Sequence, residues 1–149
     1  DQEHASMREV IEGLRLGEFG KGEVDLIAQI ELSVASLSHL WNMEITVETA
    51  CRSLMVDQLF AHGVMQLLRE AASNAARHGQ ATEVRILANV SPETLEITII
   101  DNGMGFVSCD EHGLPKSIRE RTALMGGAIE LSSVPGNTRI TLKLPIGKA

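Results

Sequence analysis

The sequence predicts an α/β two-layer sandwich: a mixed, mostly antiparallel sheet of about five strands, with three main helices packed on one face. Two observations carry this. Short runs alternate apolar and polar residues and are joined by turn-forming stretches, as in Thr82–Val90 and Thr94–Ile100 across Ser91-Pro92-Glu93. Longer segments repeat apolar residues every three or four positions, as in Leu59, Phe60, Val64, Leu67, Leu68, Ala71 and Ala75. With 149 residues and 44% hydrophobic composition, the chain suits one domain with a sizeable core.

The elements follow in order. His4 to Leu16 carries a short helical pattern in Met7, Val10, Ile11 and Leu14, weakened by Gly13. Gly17, Gly20 and Gly22 make a linker, with Phe19 as an anchor. Glu23 to Trp41 reads as a helix with a broad apolar face of Val24, Ile27, Ile30, Leu32, Val34, Leu37 and Leu40. Trp41 is read as core. Met43 to Thr49 alternates as a strand, and a second short strand is expected around Ser53 to Val56. Asp57 is placed to cap the long helix that follows, and Gly79 to stop it. The hairpin of Thr82–Val90 and Thr94–Ile100 comes next. Val107 to His112 is short and polar. Lys116 to Met125 has helix spacing, with Pro115 suited to its first turn and free N–H groups there to meet phosphate. Ala128–Val134 and Thr138–Leu144 are alternating strands across a Pro135-Gly136-Asn137 turn.

Composition excludes several classes. A formal charge of −7 argues against a general nucleic-acid binder, and 3% aromatics leave no stacking platform for single strands. No apolar run approaches a membrane span, and Asp1-Gln2-Glu3-His4 is not a signal peptide. The expectation is a soluble chain, or part of something longer, without membrane contact of its own. Cys51 and Cys109 stand apart from any Cys/His metal spacing and fit a reducing cytoplasm as free thiols.

Two stretches carry chemistry. Leu95-Glu96-Ile97-Thr98-Ile99-Ile100 leads directly into Asp101-Asn102-Gly103-Met104-Gly105-Phe106. A carboxylate therefore arrives at a strand end just where Gly103 and Gly105 allow positive φ and close approach to a planar ligand. A purine offers an exocyclic amine to such a carboxylate, and adenine fits best. By itself the hexapeptide equally fits a strand ending in an Asn-Gly turn. Upstream, Glu70, Asn74 and His78 are spaced four apart on one helix face, with Arg77 beside them. Asn can offer an oxygen to Mg²⁺, Arg and His can meet phosphate oxygens, and Glu can accept a proton. The alternative is a solvated polar stripe.

Together, in this order and about one hairpin apart, the two stretches resemble the Bergerat-fold ATPases: type II topoisomerases, heat-shock chaperones, mismatch-repair ATPases and sensor histidine kinases. Glu70 to His78 resembles the family's N box, and Asp101 to Gly105 its Asp-x-Gly-x-Gly box. Gly113 to Arg121 with Met125-Gly126-Gly127 resembles the second glycine box, in a form similar to nitrate-sensor histidine kinases. Asn137-Thr138 resembles the last, Gly-Thr-like box. The resemblance spans about Glu44 to Ile146. One departure stands out: Gly113 is alone in the second glycine box, and Pro115 and Ser117 occupy places where more flexible residues are expected.

The resemblance implies the ATP-binding catalytic domain of a two-component sensor histidine kinase, with ATP and Mg²⁺ bound. Residues 1–22 would be the end of a dimerisation helix and a linker, and residues 23–149 the catalytic domain. A frayed helix packed on its own domain fits the first segment equally. Asp101 would take the adenine amine, supported by Thr138 through water. Gly103, Gly105 and Gly113 would let backbone approach the nucleotide. Asn74 would hold Mg²⁺, Arg77 and His78 would lie near phosphate, and Glu70 would be the catalytic base. Val107 to His112 would be a short ATP lid. The partners implied are the chain's own dimerisation and phosphoacceptor domain and a downstream response regulator. None of His4, His39, His62, His78 and His112 is expected to be the acceptor. A serine kinase of the anti-sigma-factor type and a non-catalytic nucleotide-dependent module share the same expected fold.

Overall fold

The computed structural model describes residues 22–104, 116–134 and 136–146. Strand β1 (Glu23–Asp25) leads into helix α1 (Leu26–Trp41), strand β2 (Glu44–Thr49) and strand β3 (Met55–Asp57). Helix α2 (Gln58–Arg77) follows, then β4 (Glu83–Val90), β5 (Thr94–Asp101), helix α3 (Lys116–Leu124), β6 (Ala128–Val134) and β7 (Asn137–Pro145). The main sheet has five strands in the order β2-β4-β5-β7-β6. Only β2 and β4 run parallel; the other three pairings are antiparallel. The expected mixed, mostly antiparallel sheet with three helices is the fold observed.

Strand alternation decides which face is covered. On β4, Val84, Ile86 and Ala88 are buried; on β5, Leu95, Ile97 and Ile99; on β7, Ile140, Leu142 and Leu144. These rows meet Leu26, Ile30, Val34 and Leu37 of α1, the Val64, Leu67, Leu68, Ala71 and Ala75 stripe of α2, and Ile118 of α3 in one core. The intervening residues point away from the helices, and Glu48 and Arg85 pair there at 3.2 Å on exposed side chains. Such an exposed pair adds little to stability.

The beginning of α1 differs from expectation. Glu23–Asp25 forms a strand rather than the first helical turn, paired antiparallel with Met55–Asp57. The helix starts at Leu26 because Asp25 caps it: Asp25 Oδ1 accepts from Ile27 N at 3.2 Å and also from Leu54 N at 3.0 Å. Its buried face is narrower than the apolar spacing suggests. Leu32 and Leu40 are 73% and 67% exposed. Trp41 is half-buried against the edge of the core. The helix ends at Asn42, whose φ of 55° is left-handed.

Asp57 caps α2 as expected, with Oδ1 accepting from Leu59 N at 2.7 Å and Phe60 N at 3.4 Å. The other end also falls where expected, with the helix stopping at Arg77 and His78 as its cap, directly before Gly79. Gly79 does not supply the left-handed residue; Gln80 does, with φ 55°. What Gly79 supplies is room. A Cβ there would sit 3.1 Å from Ala75 O and 3.6 Å from Gly103 Cα.

Candidate functional site

Asp101 is the last residue of β5, and it continues the inward row of Leu95, Ile97 and Ile99. A carboxylate thus stands at the end of an apolar row, only 7% exposed. Its strand partners are Val84 on one side and Thr138 on the other. Thr138 in turn ends the inward row of β7 and is 1% exposed. The two polar residues are therefore set side by side by sheet register, not by local sequence. Burial pushes the Asp101 carboxyl above its ordinary value of 3.8, and the Gly103 N–H, donating to Oδ1 at 2.8 Å, opposes that rise in part.

Beyond Asp101 the chain leaves the sheet through a tight junction. Met104 N donates to Gly79 O at 2.8 Å, and Gly136 N donates to Gly103 O at 2.8 Å. The loop after β5 is so tied both to the end of α2 and to the β6–β7 turn. A Cβ on Gly103 would lie 2.6 Å from Gly79 O and 2.9 Å from Gly79 C, which no rotamer change relieves. Positive φ was the sequence rationale for this glycine, but among the described residues the left-handed glycines are Gly126 and Gly136. Gly103 is needed because two backbones touch. Gly105 and Gly113 lie outside the described residues, as does the expected lid.

Asn102 was read only as a turn residue, and the structure gives it more to do. Its Oδ1 accepts from Thr82 N at 2.9 Å and Glu83 N at 3.1 Å. Its Nδ2 donates to Thr82 Oγ1 at 3.0 Å. The available signal was parity: one residue past an inward Asp, its side chain must face the neighbouring strand's outer side.

On α2, Glu70 and Asn74 are half-buried, whereas Arg77 and His78 are exposed. His78 N still donates to Asn74 O at 3.0 Å, so the row of Glu70, Asn74 and His78 runs unbroken to the helix end. Arg77 lies back along its own helix, its Nη1 3.4 Å from Ser73 Oγ. The Gly79–Met104 bond brings this terminal turn to the loop that follows Asp101. Glu70, farther up the helix, meets a partner that sequence reasoning missed: Ser117 Oγ donates to Glu70 Oε1 at 2.8 Å. The residue that departs from the family pattern therefore touches the proposed base.

Helix α3 is held against α2 where the missing side chain of Gly63 makes room for Met125. Met125 Sδ lies 2.8 Å from the position a Cβ on Gly63 would take. Gly126, with φ 74°, ends α3, and Gly127 passes so close to β7 that a Cβ would sit 2.6 Å from Lys143 O.

A sheet of this order under three helices, with a buried carboxylate at one strand end and a polar helix row beside it, is that of a nucleotide-binding ATPase domain. Residues 61–148 match the family model described as Histidine kinase-, DNA gyrase B-, and HSP90-like ATPase, and the chain belongs to that family. It is 34% identical over 111 residues to "Sensor histidine kinase LiaS" of Bacillus subtilis (strain 168), covering 71% of this chain and 28% of that protein. It is 32% identical over 141 residues to "Sensor protein VraS" of Staphylococcus saprophyticus, covering 91% of this chain and 38% of that protein. The chain thus spans about a third of the length of these curated relatives. Among solved structures, the ATP binding domain of PrrB from Mycobacterium tuberculosis superposes with a TM-score of 0.69 at 23% identity, covering 85% of this chain and 97% of that one. The fold is therefore the Bergerat fold of histidine kinase ATP-binding domains. Among the described residues, no helix is long and apolar enough to cross a membrane.

Proposed function

We propose that this chain binds Mg·ATP and presents the γ-phosphate to a histidine on a separate helical dimerisation domain, from which the phosphoryl group passes to a response regulator. The observation that carries this reading is Asp101: a buried acceptor at the end of an apolar row, next to Thr138, in a chain of the histidine kinase-like ATPase family. A flat apolar base with one amine edge suits that surface, since the amine donates where burial leaves the carboxylate short of donors.

The other roles follow from chemistry and position. Mg²⁺ is ordinarily held by one or two protein oxygens together with substrate phosphates, and Asn74 offers such an oxygen on the α2 face. Arg77 and His78 are exposed at the end of the same row and supply donors for phosphate. Bound ATP supplies the phosphoryl group: its terminal P–O bond breaks, a P–N bond forms on the acceptor imidazole, and ADP leaves. Glu70 takes the proton released by that imidazole, and Ser117 holds its carboxylate. Catalysis in such a site is mainly positioning and charge neutralisation. The free thiol of Cys51 is in keeping with a reducing, cytoplasmic setting.

The test is transfer from labelled ATP. This chain alone is expected to bind Mg·ATP and take up no label, because His39 and His62 sit on α1 and α2 of the ATP-binding layer itself. Adding a helical domain that carries the acceptor histidine is expected to produce acid-labile label on that domain. Acid-stable label on a partner protein would replace this reading with that of a serine kinase of the anti-sigma-factor type. Nucleotide binding without transfer in the full-length protein would leave a nucleotide-dependent interaction module.

A further inference from the structure

Asp101 is a buried carboxylate at a strand terminus, and strand termini fray. An ionised carboxylate gains solvation whenever the end of β5 lifts from the sheet, so burial itself pulls this residue outward. Something must hold the strand end down on the side where the ladder runs out. On the β7 side, pairing with Thr138 is followed by the Gly136–Gly103 bond. On the β4 side the last paired residue is Val84, and the chain beyond is held by Asn102.

The side chain of Asn102 does this in an ordered way. Its own N–H donates to Glu83 O at 3.2 Å, and its Oδ1 faces two N–H groups at once, those of Thr82 and Glu83. The two N–H groups set the orientation of the amide, because its NH₂, if turned over, would oppose two donors. Thr82 is also the residue whose carbonyl accepts from Glu44 N at 2.9 Å, so the clip closes onto the start of β2 as well. Asn102 is exposed and points away from the helix-facing surface; any influence it has on a ligand there runs through Asp101.

We infer that Asn102 is a positioning residue for base recognition: it fixes the end of β5 so that the neighbouring carboxylate meets the exocyclic amine of an adenine nucleotide. This rests on the nucleotide reading above and adds to it a residue that selects the base without touching it. A residue that only stabilised the turn would weaken every nucleotide alike. One that aims Asp101 must weaken adenine selectively, because a purine lacking the amine makes no bond to the carboxylate.

The experiment is calorimetric titration of this chain with ADP and with purine riboside 5′-diphosphate, which differ only in the amine. The wild-type chain is expected to prefer ADP. Asn102→Ala is expected to lose about tenfold in ADP affinity and little for the purine nucleotide, so that the preference collapses. Asn102→Asp, which keeps an oxygen facing both N–H groups, is expected to restore most of the preference. Asn102→Ser, shorter in reach, should fall between them and serves if the alanine variant does not fold. Equal losses for the two nucleotides, or an unchanged preference in Asn102→Ala, would overturn the inference while leaving the nucleotide site standing. A wild-type chain that binds neither nucleotide would overturn both.

Discussion

Asp25 and Asp101 each stand as the last residue of a β-strand, and the chain uses them in opposite ways. Asp25 closes β1 and turns its carboxylate onto backbone: Leu54 N and Ile27 N both donate to it. Those donors, with Leu54 foremost, hold its carboxyl below the ordinary value of 3.8. Asp101 closes β5 facing the helix layer, where burial dominates and raises its carboxyl above that value. One aspartate is satisfied by the protein and steadies it. The other takes the Gly103 N–H alone among the described backbone donors, and its burial disfavours the charged form, as the proposed nucleotide role would use. The two carboxylates thus differ in which influence prevails, hydrogen bonding at Asp25 and burial at Asp101.

Three changes test this contrast. The largest effect is expected at the junction that holds Asp101 in place. Gly103→Ala puts a Cβ against Gly79 backbone and is expected to cost about 2–3 kcal/mol of stability and to remove nucleotide binding, measured by denaturant melts and calorimetry. A variant that melted like wild type would show that the two loops can part freely.

Asp101→Asn is expected to separate binding from stability. The amide keeps an oxygen for the Gly103 N–H but presents a donor to the adenine amine, so affinity for ADP should fall about 10- to 100-fold. Stability should move the other way. A carboxylate whose folded pKa is raised favours the fold most in acid, and that contribution is lost as pH rises through the raised value. The variant lacks this loss. Thermal melts should therefore show a gap in its favour that opens as pH rises from 3.8 and then levels off. A gap of the opposite sign would mean that Asp101 is a structural residue like Asp25.

The smallest change is at Asp25, with the reverse pH sign. Asp25→Ala should melt below wild type at neutral pH, because a lowered pKa contributes stability above 3.8. That advantage fades as pH falls through the depressed value, so the two melting curves should converge in acid. Nucleotide affinity should be unchanged.

The parts of this contrast that the sequence revealed were those with a local period. Alternation located the five main strands, and three- and four-residue spacing located the helices. The same alternation, carried one step past Ile99, already places Asp101 on the inward face. Asp57 was legible as a cap because it directly precedes an apolar helical stripe. What escaped was whatever depends on a distant partner. Three residues of Glu23–Asp25 become a strand only because Met55–Asp57 lies alongside, so from sequence they read as the start of an apolar helix. Gly103 looked like a source of positive φ, because the Gly79 carbonyl against which it packs lies 24 residues earlier. Asn102 looked like half of an Asn-Gly turn, since its partners Thr82 and Glu83 lie across the hairpin. Ser117 looked like a blemish in a glycine box until Glu70 was found beside it.

The β5–β7 pairing also bears on how the chain comes together. The β4–β5 hairpin closes over a turn of three residues and α2 forms within one segment, so both can take shape early. The corner around Asp101 cannot. Asp101 meets Thr138 across 37 residues, and Gly79 meets Met104 across 25. Loops of that length close late, and the corner exists only once they have. A chain arrested before that point would have its hairpin and long helix, and would register as largely structured by spectroscopy. It would still hold no nucleotide. Ligand binding is therefore a stricter measure of completed folding in this domain than its secondary structure content.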